Sequence, residues 1–388
     1  MRRISVFGST GSIGENTLDL LTPGQVQVVA LTGGRQVDRL AAQARRFDAD
    51  LAVTAHPECY GALKAALAGT RTQVAAGPQA VAEAADHAAD WVMSAIVGAA
   101  GLVPGLRALA HGGTLALANK ESLVTAGPIL LATAARHGAT ILPVDSEHSA
   151  VFQVLTGEDP GAVERVILTA SGGPFRDWPA ARMAQATPDQ AVVHPNWAMG
   201  RRISVDSASM FNKALELIET REFFGFSPER IEVIVHPQSI IHALVGFHDG
   251  GMLAHMGPAD MRHAIGYALN WPRRDPLPVA RLDLALLARL TFEAPDEARF
   301  PALRLARQVM GERGLSGAAF NAAKEVALDH FMAGALGFCD MAGIVDAVLN
   351  DLSGEMHPNG GQIALEDVLT MDHLARKTAE RAVRQLQR

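Results

Sequence analysis

Six short apolar runs in the first 145 residues, each followed by an alanine-rich stretch of helical length, leave few folds open to this chain. The runs at 3–7, 26–31, 51–54, 91–96, 114–118 and 139–144 read as strands. Strands that alternate with helices pair in parallel, because each right-handed crossover lays its helix back on the sheet. The expectation for residues 1–145 is an α/β domain with a doubly wound (Rossmann-like) parallel sheet.

The rhythm stops after Val144. Strand-like runs at 165–169, 231–235, 240–247 and 252–255 lie near turn signals, among them Ser171-Gly172-Gly173-Pro174 and Asp249-Gly250-Gly251. Residues 146–270 therefore read as a central α+β catalytic domain with at least one hairpin. Pro272, Pro276, Pro278 and Pro295 mark 271–296 as a linker, and 297–388 has the helical period of a C-terminal helical bundle. Such a division suits 388 residues, at about 100–200 per domain.

With 48% hydrophobic and 19% charged residues the chain is ordinary globular material, which excludes disordered and fibrous classes. A net charge of −7 gives no electrostatic reason to expect nucleic acid or an anionic membrane as partner. No apolar run approaches the roughly 18 residues of a membrane span. Cys59 and Cys339 are too few for a disulfide framework or a thiolate metal site. The first strand follows Met1-Arg2-Arg3 directly and leaves no room for a signal peptide, so a cytoplasmic location is expected.

Gly8-Ser9-Thr10-Gly11-Ser12-Ile13-Gly14 stands between the first strand and an amphipathic stretch at 15–21. Glycines there let the backbone approach a pyrophosphate, which helix N–H groups then bind. The spacing is one residue longer than the common dinucleotide fingerprint, and a tight turn without ligand uses the same residues. After the second strand come Thr32-Gly33-Gly34-Arg35-Gln36, with no acid before Asp38 to take a ribose 2′-hydroxyl. Arg35 suits a 2′-phosphate, which points to NADP rather than NAD; a solvated surface arginine is the alternative.

Asn119-Lys120-Glu121 lies at the C-terminal end of an expected strand, where open parallel sheets bind ligands. Lys120 there either neutralises substrate charge or is an ordinary surface lysine. Asp145 and Glu147, two positions apart after the last strand, suit one hard divalent cation if a third oxygen ligand joins them, and are otherwise a solvated pair. A helix expected over 206–222, capped by Asp206 or Ser207, places Ser209, Asn212, Lys213 and Glu216 on one face. Ser171-Gly172-Gly173 offers a hydroxyl and backbone N–H groups to a phosphate. The loop 194–200 joins His194 to Trp197, an aromatic cover for a closing lid or a buried loop anchor. His236, His242, His248, His255 and His263 have no compact zinc spacing and no accompanying cysteine.

Together the blocks 8–14, 117–121, 143–152, 170–175, 194–200, 202–219 and 236–242 resemble the 1-deoxy-D-xylulose 5-phosphate reductoisomerases, in the same order along essentially the whole chain. The resemblance is weakest in the helical C-terminal part. It implies an NADPH- and divalent-metal-dependent oxidoreductase of the non-mevalonate isoprenoid route, a homodimer acting on a phosphorylated sugar with Mn²⁺, Mg²⁺ or Co²⁺. The metal ligands it implies are Asp145, Glu147 and Glu216. Substrate would be held by Lys120, Ser146, Glu147, Ser171, His194, Ser207, Asn212, Lys213 and Glu216, with Lys120, Glu147 and His194 as catalytic residues. NADPH would contact Thr10, Gly11, Ser12, Ile13, Gly34, Arg35, Gln36, Asn119, Glu121 and Gly200, while His242 and Trp197 match positions close to the site. Arg35-Gln36 stands where the family often has Lys-Asn, and Gly257-Pro258-Ala259-Asp260 departs from a Gly-x-Pro-Asp order. The rivals are an NADP-dependent semialdehyde or homoserine dehydrogenase and a non-catalytic NADPH sensor. The first needs a mid-chain catalytic cysteine, the second has no use for the Ser171, His194, Ser207, Asn212 and Lys213 cluster, and the third none for three carboxylates.

Overall fold

A computed structural model describes residues 1–197, 199–357 and 363–387. The chain forms two compact units. The first comprises Met1–Ser122, Leu130–Ser149 and Asp260–Val279; the second comprises Leu123–Ile129, Ala150–Ala259 and Ala280–Arg388.

The first unit is built on a seven-stranded parallel sheet of β1 (Arg2–Phe7), β2 (Val26–Gly33), β3 (Leu51–Thr54), β4 (Gln73–Ala76), β5 (Trp91–Ser94), β6 (Thr114–Leu117) and β7 (Thr140–Pro143). Their order, β4-β3-β2-β1-β5-β6-β7, reverses direction at β1, the doubly wound plan. Ligands bind such sheets in the crevice at the reversal, beyond the C-terminal ends of the strands. Ile4, Val6 and Phe7 of β1 are buried, as both faces of a parallel sheet require. β4 is the strand the apolar runs did not reveal. A four-residue edge strand of Gln, Val and two alanines carries little β propensity and forms here because β3 offers its free edge.

Asp260–Val279 belongs to this unit although it follows Ala259 of the other. The helix Met261–Asn270 packs on the helix Ser12–Asp19 and on β6 and β7. Fully buried Trp91 donates its indole N–H to Ala268 O at 3.1 Å, and Arg2 donates to Leu269 O at 2.5 Å. A buried indole needs such an acceptor, and the helix supplies it.

The second unit contains a mixed sheet of β8 (Val163–Ala170), β9 (Ile231–Val235), β10 (Ile241–Phe247) and β11 (Met252–Met256), in the order β11-β10-β8-β9. β8 and β9 are parallel and the other pairs antiparallel. β10 and β11 form the expected hairpin, with Gly250 at φ +87° and Asp249 accepting from the Gly251 N–H at 2.8 Å. Of residues 271–296, Leu284–Leu287 forms a short helix and Glu293 bridges to Val235.

The helices Ala302–Glu312, Ser316–Met332, Asp340–Asp351 and Leu365–Leu386 complete this unit. Ser316–Met332 is buried nearly all round, as a central helix must be. Its small residues allow close approach: a Cβ on Gly317 would lie 2.0 Å from Val124 O. No described helix is long and apolar enough to cross a membrane.

The helix expected over 206–222 is two helices, Arg201–Ala208 and Phe211–Phe224. Met210 between them adopts φ +63°, a left-handed conformation that interrupts the helical ladder. Asp206 is therefore no cap but lies inside the first helix, buried. Ser209 ends that helix with its hydroxyl on Val205 O at 2.8 Å, which takes it off the face shared by Asn212, Lys213 and Glu216.

Candidate active site

In the first unit the glycine-rich loop follows β1. Gly8 sits at φ +86°, where a Cβ would lie 2.4 Å from Ala95 O just past β5, so only glycine fits the reversal point of the sheet. Gly11 caps the helix Ser12–Asp19, and a Cβ on Gly14 would lie 2.3 Å from Gly8 O. The cradle is thus closed by backbone against backbone. Gly14→Ala is expected to lower stability by about 1–3 kcal/mol, the cost of overpacking a site that cannot yield. An unchanged denaturant midpoint would show that the loop relaxes.

The other expected cofactor residues of the β1 and β2 ends gather beside this loop. Gln36 donates to Thr10 O at 3.4 Å, and Thr10 packs where a Cβ on Gly33 would reach its side chain at 3.1–3.2 Å. Ser12 is exposed and Ile13 half-buried at the helix start, with Gly34 half-buried after β2. Arg35 is exposed and paired with Glu58 at 2.6 Å.

Asn119 caps the helix Lys120–His137 through Oδ1, which accepts from the Ser122 N–H at 2.9 Å. Its Nδ2 donates to Ile96 O at 2.5 Å, Gly98 O at 2.9 Å and Glu121 Oε2 at 3.0 Å. These bonds tie the ends of β5 and β6 together, so the Asn119 amide is committed to shaping the crevice.

Lys120 follows, its Nζ 3.0 Å from Asp145 Oδ2 and both side chains nearly buried. His148, fully buried one helical turn after Asp145, brings Nδ1 to 3.2 Å from the same oxygen. The acid pair at 145 and 147 is therefore no solvated turn. Ser146 donates to Glu147, the residue beside it. His148 was not singled out in the sequence, although its i,i+3 spacing from Asp145 is the signal that finds it.

In the second unit Ser171 follows β8, and His194 Nε2 lies 2.9 Å from its Oγ. The backbone N–H groups of Asn196 and Trp197 both donate to His194 Nδ1, at 3.1 and 2.9 Å. Nδ1 is thus the acceptor nitrogen, and Nε2 carries the proton and donates to Ser171. Ser171 Oγ also accepts the Gly173 N–H at 3.1 Å. A hydroxyl that accepts twice has its own proton to give, which suits an anionic ligand.

Gly173, at φ +65°, lets this loop pass close to Ser207: a Cβ there would lie 3.0 Å from Ser207 O. Gly200 caps the helix Arg201–Ala208 and accepts from Ser204. Asn196 Nδ2 donates to Pro237 O at 2.5 Å and Ser239 Oγ at 2.9 Å, tying the Trp197 loop to the turn after β9. The Trp197 ring lies 6.1 Å from that of buried His242, which is 5.9 Å from His255. The block 236–242 is thereby joined to the loop 194–197, a link that sequence spacing does not carry.

On the helix Phe211–Phe224 the fully buried Glu216 accepts from Asn212 Nδ2 at 2.6 Å on one oxygen and from Lys213 Nζ on the other. Asn212 and Lys213 thus position a carboxylate besides presenting donors. Asp145 and Glu147 in the first unit and Glu216 in the second are the three carboxylates expected as metal ligands. Such all-oxygen donors suit Mg²⁺ or Mn²⁺.

Three family models match the chain: "1-deoxy-D-xylulose 5-phosphate reductoisomerase" over residues 4–127, that enzyme's C-terminal domain over 141–224, and "DXP reductoisomerase C-terminal domain" over 256–378. A 1-deoxy-D-xylulose 5-phosphate reductoisomerase of Cereibacter sphaeroides is 69% identical over 388 residues, covering 98% of each chain. Among solved structures, the Zymomonas mobilis enzyme in complex with NADPH is 46% identical, with a TM-score of 0.90 over 98% of this chain and 99% of that one. A DOX-P reductoisomerase in complex with NADPH, fosmidomycin and magnesium is 40% identical, with a TM-score of 0.95 over the whole of both chains.

Proposed function

Because the chain belongs to the 1-deoxy-D-xylulose 5-phosphate reductoisomerase family, we propose that the residues described above are the metal, substrate and cofactor groups of that enzyme. The protein is an NADPH-dependent oxidoreductase that rearranges and reduces 1-deoxy-D-xylulose 5-phosphate to 2-C-methyl-D-erythritol 4-phosphate in the non-mevalonate isoprenoid pathway. Its cofactors are NADPH and a divalent metal, as the NADPH- and magnesium-bound relatives support. The observation that carries the residue assignment is the buried Glu216 carboxylate, positioned by Asn212 and Lys213, in a chain similar over its whole length to a magnesium-bound enzyme.

When bound, the divalent cation supplies Lewis acidity at the substrate's carbonyl and hydroxyl oxygens, where enolate-like charge develops as the carbon–carbon bond breaks. Asp145, Glu147 and Glu216 hold it, and Lys120, which neighbours Asp145, neutralises substrate charge beside it. Ser171 donates its remaining proton to the substrate's phosphate, in a hydroxyl orientation set by the His194 Nε2–H and Gly173 N–H bonds. Ser146, Ser207, Asn212 and Lys213 complete the grip on phosphate and hydroxyls. This remote binding energy orients the fragments for reaction. Trp197, carried on the loop that His194 and Asn196 anchor, excludes water. NADPH brings the hydride, and the chain has only to aim its nicotinamide. Thr10, Gly11, Ser12 and Ile13 cradle its pyrophosphate; Gly34, Arg35 and Gln36 take the adenosine end, while Asn119, Glu121 and Gly200 complete the contacts.

The functional partition belongs to the same reading: 1–145 for NADPH, 146–270 for metal and substrate, 271–296 as linker and 297–388 as a helical domain. A cytoplasmic homodimer is likewise part of it, and the exposed edge of β11 with Met252 and Leu253 supports self-association. The test follows NADPH absorbance with 1-deoxy-D-xylulose 5-phosphate, with and without Mg²⁺ or Mn²⁺. Oxidation that requires both sugar and metal is expected; metal-independent oxidation, or none, overturns the assignment.

A further inference from the structure

The ends of β2 and β3 carry a cluster that the reaction does not explain. The two strands stop in register, Gly33 opposite Thr54, and each runs on by two residues to a donor: Arg35 after β2 and His56 after β3. Thr54 fixes this geometry, its hydroxyl donating to Gly34 O at 2.9 Å and accepting the His56 N–H at 3.3 Å. A Cβ on Gly34 would lie 3.9 Å from His56 Nε2, so the imidazole stands beside the Gly34-Arg35 turn. One carboxylate oxygen of Glu58 faces both donors, 2.6 Å from the Arg35 guanidinium and 3.7 Å from His56 Nδ1. The hydrogen bond from its own backbone N–H, and then Arg35, hold that carboxyl below the usual range.

In a doubly wound sheet the adenosine ribose lies past the end of β2, where an arginine meets a 2′-phosphate. Here Glu58, in the short turn that follows β3, already occupies that arginine. With side-chain exposures of 65% and 55%, the Arg35–Glu58 pair competes with water and yields easily to a ligand of higher charge. A phosphate carries more charge and more acceptor oxygens than a carboxylate, and so wins the exchange. Glu58 cannot stay beside it without like-charge repulsion.

We propose that His56 is a second donor to the cofactor's 2′-phosphate, and that Glu58 is the internal carboxylate which this phosphate displaces from Arg35. The inference rests on the assignment of Arg35 to the 2′-phosphate. Glu58 then weakens NADPH binding in proportion to its hold on Arg35, and the 2′-phosphate is recognised by two strand ends rather than one.

Dissociation constants for NADPH and NADH, from nicotinamide fluorescence at low ionic strength, test this in Arg35→Ala, His56→Ala and Glu58→Gln. His56→Ala should weaken NADPH about 10–100-fold, one hydrogen bond to a charged group, and leave NADH unchanged. Glu58→Gln should tighten NADPH and leave NADH unchanged. Equal effects of His56→Ala on both cofactors, or none on NADPH, overturn the role of His56. Weaker binding of both cofactors in Glu58→Gln would mean that Glu58 serves a ribose hydroxyl instead. If Arg35→Ala also fails to discriminate between the cofactors, the Arg35 assignment falls and this inference with it. If Arg35→Ala discriminates while the other two variants do not, only the inference falls.

Discussion

Glu216→Gln is expected to leave a folded protein that binds NADPH with its usual affinity and has lost metal-dependent turnover by at least a hundredfold. Loss of an outer partner of a metal ligand costs about 10–100-fold, and loss of the ligand itself costs more. Glu216 is fully buried, and both its oxygens accept from its own helix, one from Asn212 and one from Lys213. The amide keeps the volume and one acceptor but removes the charge. Two carboxylates then remain for the cation, and Lys213 loses the Glu216 charge beside it. A hundredfold fall corresponds to about 2.7 kcal/mol of transition-state stabilisation. Steady-state rates across a Mg²⁺ or Mn²⁺ titration, with NADPH fluorescence as the control for cofactor binding, measure both parts. Near-normal turnover at low metal would remove Glu216 from the metal site. Parallel loss of NADPH binding would mean that the substitution damages the fold.

Most of the architecture was legible because its signals are local. The strand–helix alternation needs only a few residues at a time to declare itself, and β1 and its glycine loop are contiguous. Gln73–Ala76 escaped because an edge strand borrows its order from a neighbour. The break at Met210 escaped for a related reason. No glycine or proline marks it, and a methionine takes a left-handed conformation only where packing on either side compels it. The site divides in the same way. Asp145, Ser146 and Glu147 lie side by side in sequence, and Asn212, Lys213 and Glu216 share one helix. Other contacts that orient the site come from further away. His194 takes its tautomer from a turn within its own loop, and that loop is fastened by Asn196 to residues 41 and 43 positions on. No period in a sequence encodes such distances.

A link longer than these carries the largest expected effect on stability. Lys324, in the buried helix Ser316–Met332, reaches Asp206 Oδ2 at 3.0 Å across 118 residues of sequence, with side-chain exposures of only 2% and 7%. Removing one member of a buried pair strands the other charge, which costs about 3–5 kcal/mol, whereas replacing both with apolar groups of similar size costs far less. Lys324→Met should therefore lower the unfolding free energy by that amount, and Lys324→Met with Asp206→Leu should recover most of it. Asp206 stands beside Ser207, so the single variant should also raise the substrate KM more than it lowers kcat. Glu325 adds a pH signature. Burial alone would raise its carboxyl, but Lys324, Arg376 and Asn321 together hold it below the ordinary 4.5. A depressed carboxyl stabilises the fold above its unfolded pKa and loses that contribution as the pH falls through the folded value. Without Lys324 the folded carboxyl rises, so this part of the deficit is present at neutral pH and fades in acid. Urea titrations of the single and double variants at pH 7 and below pH 4 separate the two contributions. A single variant within about 1 kcal/mol of the parent, or a double variant no better than the single, would show that water reaches the pair and that its burial does not govern its energy.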